Sequence, residues 1–176
     1  MAGHNKWSKI KHKKAITDAK KSKIFGKLVR LIQVEAKKAN GDTNAPGLRA
    51  AIEKARKENM PNDNIDRAIK KASESADAQP VTFELYGPGG IGIIVEALTD
   101  NNNRTNAEIK HLLSKHGTSL ASPGSVSWGF QRNAETFSWE PTQTIEASDE
   151  ELAKLSTLVE SIEDHDDVQE VFTNAA

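Results

Sequence analysis

Near residue 79 the apolar residues of this chain stop recurring every three or four positions and begin to alternate. A helical repeat can bury only a stripe, and an alternating one only a sheet face, so two different cores are required. In the first half, Phe25, Leu28, Val29, Ile32 and Ala36 predict a helix from about Asp18 to Asn40, with Gly41 placed to end it. Thr43 or Asn44 is placed to cap a second helix with Pro46 in its first turn and Leu48, Ile52 and Ala55 as its stripe. A third follows Met60-Pro61-Asn62-Asp63, with Ile65, Ala68, Ile69 and Ala72 facing inward. The polar residues 73–80, ending in proline, read as a linker.

In the second half, Val81, Phe83 and Leu85 alternate with Thr82, Glu84 and Tyr86 as a half-buried strand does. Gly87-Pro88-Gly89-Gly90 is a turn, and residues 91–98 are apolar enough for a central strand. Thr105 is placed to cap a helix carrying Ile109, Leu112 and Leu113. Val126, Trp128 and Phe130 alternate again, and Phe137 with Trp139 predicts another strand. Ser148 and Glu151 form a capping box before Leu152, Leu155, Leu158, Val159 and Ile162, and residues 168–173 close the chain as a strand. This order predicts an α+β protein. Residues 1–78 form a three-helix domain, and residues 79–176 a ferredoxin-like α/β domain with an antiparallel or mixed sheet and two helices on one face.

The formal net charge of −1 hides a division along the same boundary. Residues 1–78 hold 19 Lys and Arg against 9 Asp and Glu, and residues 79–176 hold 5 against 16. The most basic stretch comprises His4, Lys6, Trp7, Lys9, Lys11, His12, Lys13 and Lys14, continuing to Lys20, Lys21, Lys23, Lys27 and Arg30. Ammonium groups at this density neutralise phosphates and release condensed counterions, so nucleic acid is the expected partner, ribosomal RNA or DNA. The lysines would contact phosphates, with Trp7, His4 and His12 against bases or sugars. One Arg in this stretch supplies little bidentate base readout, which leans the expectation towards structured RNA and backbone-led binding.

Other chemistries find less support. The chain has no Cys, which excludes disulfides and thiolate sites. His4, His12, His111, His116 and His165 form no HExxH pair, so no metal is expected, and these side chains read as surface residues. No nucleophile, base and orienting group assemble, so no catalytic residue and no cofactor or small-molecule substrate are expected. Glu163, Asp164, Asp166 and Asp167 around His165 read as a solvated acidic turn. A secondary anion or partner site is conceivable at Tyr86, Gly87, Gly89 and Gly90 and at Asn103, Arg104 and Thr105, through backbone N–H groups and a helix N-terminus. Two further readings stay open: a protein-interaction module built on the acidic domain, and an RNA-acting enzyme with its groups around residues 100–105. With neither a secretory signal nor a stretch suited to a membrane span, a cytoplasmic protein is expected.

The opening Met-Ala-Gly-His-Asn-Lys-Trp-Ser-Lys-Ile-Lys-His-Lys-Lys, with Leu48-Arg49-Ala50-Ala51-Ile52, Asn59-Met60-Pro61 and Tyr86-Gly87-Pro88-Gly89-Gly90, resembles the YebC/PmpR family. So do residues 98–105, Leu-Thr-Asp-Asn-Asn-Asn-Arg-Thr, and residues 163–171. The resemblance implies a bacterial or organellar regulator of gene expression. Its members are described as DNA-binding transcriptional regulators, translational activators or factors linked to stalled ribosomes. It also implies a helical N-terminal domain beside two α/β domains, the third inserted in the second. Here the chain passes from Trp128 to Phe137 without room for that insertion, so a short member lacking the third domain is expected.

Overall fold

The computed structural model describes residues 5–12 and 17–176. Within them the chain forms six α-helices and five strands. They are α1 Lys6–His12, α2 Asp18–Lys38, α3 Pro46–Lys57, α4 Asn62–Lys70, β1 Gln79–Tyr86, β2 Gly92–Thr99, α5 Asn102–Lys115, β3 Phe130–Arg132, β4 Trp139–Pro141, α6 Asp149–Glu163 and β5 Val168–Thr173. The α+β class expected from the sequence is what the chain adopts. Two compact units emerge: α2, α3 and α4 in one, and α1 with β1 to β5, α5 and α6 in the other.

The helical unit is stapled by the residues that read as its punctuation. Thr17 accepts the Lys20 N–H at 3.3 Å to start α2, and Asn40 and Gly41 leave it in left-handed conformation. The Gly41 N–H reaches back to the Ala36 carbonyl at 2.9 Å. Pro46 occupies the first turn of α3, but its N-cap is Ala45, with no side-chain bond, and not Thr43 or Asn44. Asp42 accepts the Asn44 N–H instead, closing the preceding turn on itself. Leu28, Ile32 and Ala36 of α2 meet Leu48, Ala51 and Ala55 of α3 and Ile65 and Ala68 of α4.

In the α+β unit the sheet order is β1-β2-β5, with β2 and β5 antiparallel. The short connection at residues 87–91 permits only an antiparallel β1–β2 pairing. One face of this sheet carries Phe83, Leu85, Ile93, Val95 and Val171, packed with Ile109 and Leu113 of α5 and Leu152, Leu155, Leu158 and Ile162 of α6. The other face differs from expectation. The third and fourth strands do not join this sheet; β3 and β4 form their own antiparallel ribbon, packed through Phe130 and Trp139 on Ile94 and Phe172. The strand expected to begin at Val126 begins only at Phe130, and residues 127–129 form a helical turn. The cause is Glu84. Its carboxylate accepts the N–H groups of Gly124, Val126 and Ser127, withdrawing them from any ladder.

Candidate nucleic-acid interface

Helix α1 was not legible in the basic stretch, yet it forms and docks inside the α+β unit. Trp7 is 6% exposed and belongs to the core of that unit, with Ile10 packed beside it one turn later. The Trp7 N–H donates to the Ala176 carbonyl at 3.2 Å. The indole expected to stack on a base is therefore spent on packing. Lys6 meets Asp149 at 3.1 Å and Lys11 approaches Glu163 at 3.7 Å, so α1 is held by its apolar face and edged by carboxylates of α6. The Lys6 pair is open to water at both ends, and such pairs contribute little. Lys6→Ala is accordingly expected to leave the urea midpoint unmoved.

Lys9 is exposed on α1. His4, Lys13 and Lys14, and the side chain of His12, lie outside the described residues. The remaining basic positions sit on α2. Lys20, Lys23, Lys27 and Arg30 recur at intervals of three, four and three and share one face of the helix. The core positions Leu28, Ile32 and Ala36 point roughly the opposite way. Lys20 and Lys21 are exposed; Lys23, Lys27 and Arg30 are half-buried. From Lys20 to Arg30 the stripe runs about 15 Å along the axis at a rise of about 1.5 Å per residue. Towards the helix end, Lys37 bonds Asp77 at 2.7 Å and holds that carboxyl below the usual carboxylate range. Lys38 lies 3.5 Å from Glu35, and Arg49 donates to the Asn44 carbonyl. Residues 17–79 alone carry 14 Lys and Arg against 9 Asp and Glu.

The secondary anion site does not form as one site. Its two halves lie at opposite ends of β2, an eight-residue strand, roughly 23 Å apart at about 3.3 Å per residue. In the glycine turn, the Gly87 N–H donates to the Ile91 carbonyl and the Gly90 N–H to Gly87, so both are used internally. A Cβ on Gly89 would stand 3.0 Å from the Glu151 carboxylate, which would repel an anion there. At the other end, Asn101 and not Thr105 caps α5, accepting the Arg104 N–H at 3.1 Å. Thr105 is fully buried one turn inside the helix. Its hydroxyl lies 2.7 Å from Asp167 and 2.6 Å from the Thr99 hydroxyl.

This end of β2 instead unites two segments that the sequence reading kept apart. The Arg104 guanidinium donates to Asp167 at 3.0 Å and to Asp100 at 3.1 Å, and the Asp167 bond is the main cause raising its pKa. His165 accepts the Asp167 N–H at Nδ1, so its other nitrogen carries the proton and donates to Glu108 at 2.7 Å. Glu108, His165 and Asp167 are close enough together to consider a cation. However, the ring presents no lone pair towards them, and the Arg104 guanidinium occupies the Asp167 oxygen. The expected solvated acidic turn is thus corrected at Asp167, which is buried as the anchor of a strut from β5 to α5.

Fold and site together define an α+β protein of two compact units, with the basic stripe on α2 of the helical one. Residues 5–75 match the TACO1/YebC protein N-terminal domain, and residues 78–137 and 133–175 match the TACO1/YebC second and third domain. The chain belongs to this TACO1/YebC family. It is 57% identical over 137 residues to a probable transcriptional regulatory protein of Thermotoga petrophila, covering 75% of this chain and 54% of that one. The chain therefore spans about half the length of the relatives it matches in this way. A Fervidobacterium nodosum protein of the same description is 37% identical over 236 aligned positions, covering 99% of this chain and 93% of its own. That alignment exceeds the 176 residues here, so the relative carries stretches without a counterpart in this chain. The crystal structure of a conserved hypothetical protein of Aquifex aeolicus superposes with a TM-score of 0.79 at 31% identity, covering 98% of this chain and 97% of that one. Among the described residues no helix is long and apolar enough to cross a membrane.

Proposed function

We propose that this chain is a non-enzymatic regulator of gene expression that grips the sugar–phosphate backbone of nucleic acid through its helical unit. The observation that carries this reading is the stripe Lys20, Lys23, Lys27 and Arg30, turned away from the core face of α2. A helix that sets four cations along one side, Lys20 exposed and Lys23, Lys27 and Arg30 half-buried, suits a polyanion that runs past it. Relatives described as probable transcriptional regulatory proteins support a regulatory role.

Burial of Trp7 removes the ring expected to lie against a base or sugar. What is left, charge without base readout, serves duplex DNA and RNA alike. Arg104, bonded to two carboxylates, acts as a strut in the fold, which leaves the enzymatic alternative without its central group. The test is filter binding of the whole chain to random-sequence duplex DNA and to structured RNA, across 50–200 mM salt. Binding with a steep logarithmic salt dependence and little sequence preference is expected. Absence of binding to both at 50 mM salt would overturn the reading.

A further inference from the structure

Two large apolar side chains are exposed among the described residues, Trp128 at 77% and Tyr86 at 44%, and both line the same cleft. The cleft holds about 120 Å³ within the α+β unit, between the β1–β2 turn and residues 142–145, with Val126 and Ile145 among its apolar lining. Its walls are fixed from behind. Glu84 accepts the N–H groups of Val126 and Ser127 just before Trp128, and the Tyr86 hydroxyl donates to the Ser125 carbonyl at 2.6 Å. Across the cleft, the Thr142 N–H donates to the Gly129 carbonyl at 2.9 Å. An indole held open to water by a braced loop is preorganised to receive a ligand, and exposed aromatic surface with a polar rim marks such sites.

The surrounding charge says which ligand. Between Arg132 and Lys154 the chain has no Lys or Arg; Glu140 and Glu146 flank residues 142–145 of the cleft in the chain, while Asp149 and Glu150 are paired with Lys6 and Lys154. The segment lining one wall lies in the middle of this run, and Glu151 reaches the glycine turn itself. A phosphate-bearing ligand would be repelled. A guanidinium would stack on the indole face with carboxylates nearby, and arginine does this better than lysine because its cation is planar and weakly hydrated.

We propose that the Tyr86–Trp128 cleft docks an arginine-bearing, cationic peptide segment of a partner protein. This goes beyond the nucleic-acid reading and is independent of it, since it rests on the other unit. It is tested by fluorescence anisotropy on the whole chain, using a labelled ten-residue peptide with four Arg among Gly and Ser. The probes for comparison are its four-Lys and four-Glu counterparts and a ten-residue oligouridine. The Arg peptide is expected to bind more tightly than the Lys peptide, with the Glu peptide and the oligonucleotide unbound at the cleft. Trp128→Ala is expected to weaken the Arg peptide by about tenfold or more, the scale of an aromatic anchor. Trp128→Phe, which keeps a ring face, is expected to fall between. Because Trp128 is exposed, both variants should keep the wild-type thermal midpoint, which the same samples verify. Equal Arg-peptide binding by wild type and Trp128→Ala would overturn the proposal. So would failure of the wild type to bind that peptide, or a Trp128→Ala loss seen for the oligonucleotide and not the peptide.

Discussion

Replacing Lys20, Lys23, Lys27 and Arg30 together by Glu is expected to flatten the salt dependence of duplex binding by about 3–4 logarithmic units. Each neutralised phosphate contributes a slope of about 0.9, so four lost contacts account for that change. The affinity at 50 mM salt should fall by more than about a hundredfold, since the new carboxylates also repel the phosphates. Nucleic-acid sequence should make little difference to the loss, because no base contact is being removed. The four positions lie off the face formed by Leu28, Ile32 and Ala36, so the helical unit should still fold, which far-ultraviolet circular dichroism checks. A variant that kept its affinity and slope would place the contact surface elsewhere. Truncating the chain's first residues is a blunter experiment, because it removes Trp7 from the core of the α+β unit as well as removing charge.

Glu84→Ala is expected to cost about 3 kcal/mol, because it leaves the N–H groups of Gly124, Val126 and Ser127 without their acceptor. Glu84→Gln should recover part of this, as one amide oxygen cannot serve three donors with the strength of a carboxylate. Burial pushes the Glu84 carboxyl up, but the three backbone donors outweigh it and leave the group below the usual glutamate range. A carboxylate depressed in the folded state stabilises the fold above its unfolded value and loses that contribution as pH falls through the folded one. The gap between wild type and Glu84→Gln should therefore be full at pH 7 and close progressively in acid, from the usual glutamate range downwards. Urea melts at several pH values read this directly. A gap independent of pH would show that the carboxylate's charge is not what holds residues 124–127.

What could be read in advance were the features whose cause is local. Gly41 ends α2 and Pro46 opens α3 because backbone dihedrals restrict the choice there. Ser148 and Glu151 make both bonds of the capping box within a single turn. The change of period near residue 79 falls where the helices give way to β1. What escaped depends on partners far along the chain. Glu84 alternates with Phe83 and Leu85 as a solvent-facing residue should, and nothing nearby announces the three N–H groups it collects some 40 residues later. Trp128 carries the inward parity of a strand that Glu84 prevents from forming. Trp7 stands among lysines, and only a core closed by β5 and α6 explains why it is buried. The union of Arg104 with Asp167 was hidden for the same reason.

The placement of α1 also bears on the order in which the molecule can be completed. The α+β unit is discontinuous in the chain: α1 precedes the whole helical unit, yet the groove that receives Trp7 includes α6 and the backbone of Ala176. During synthesis α2, α3 and α4 can assemble as soon as they emerge, while α1 must wait until α6 and residue 176 have been made. The residues that close the α+β unit thus lie on both sides of the helical unit in the chain. Pulling on residue 5 in an optical trap should therefore strip α1 from the α+β unit before the helical unit yields.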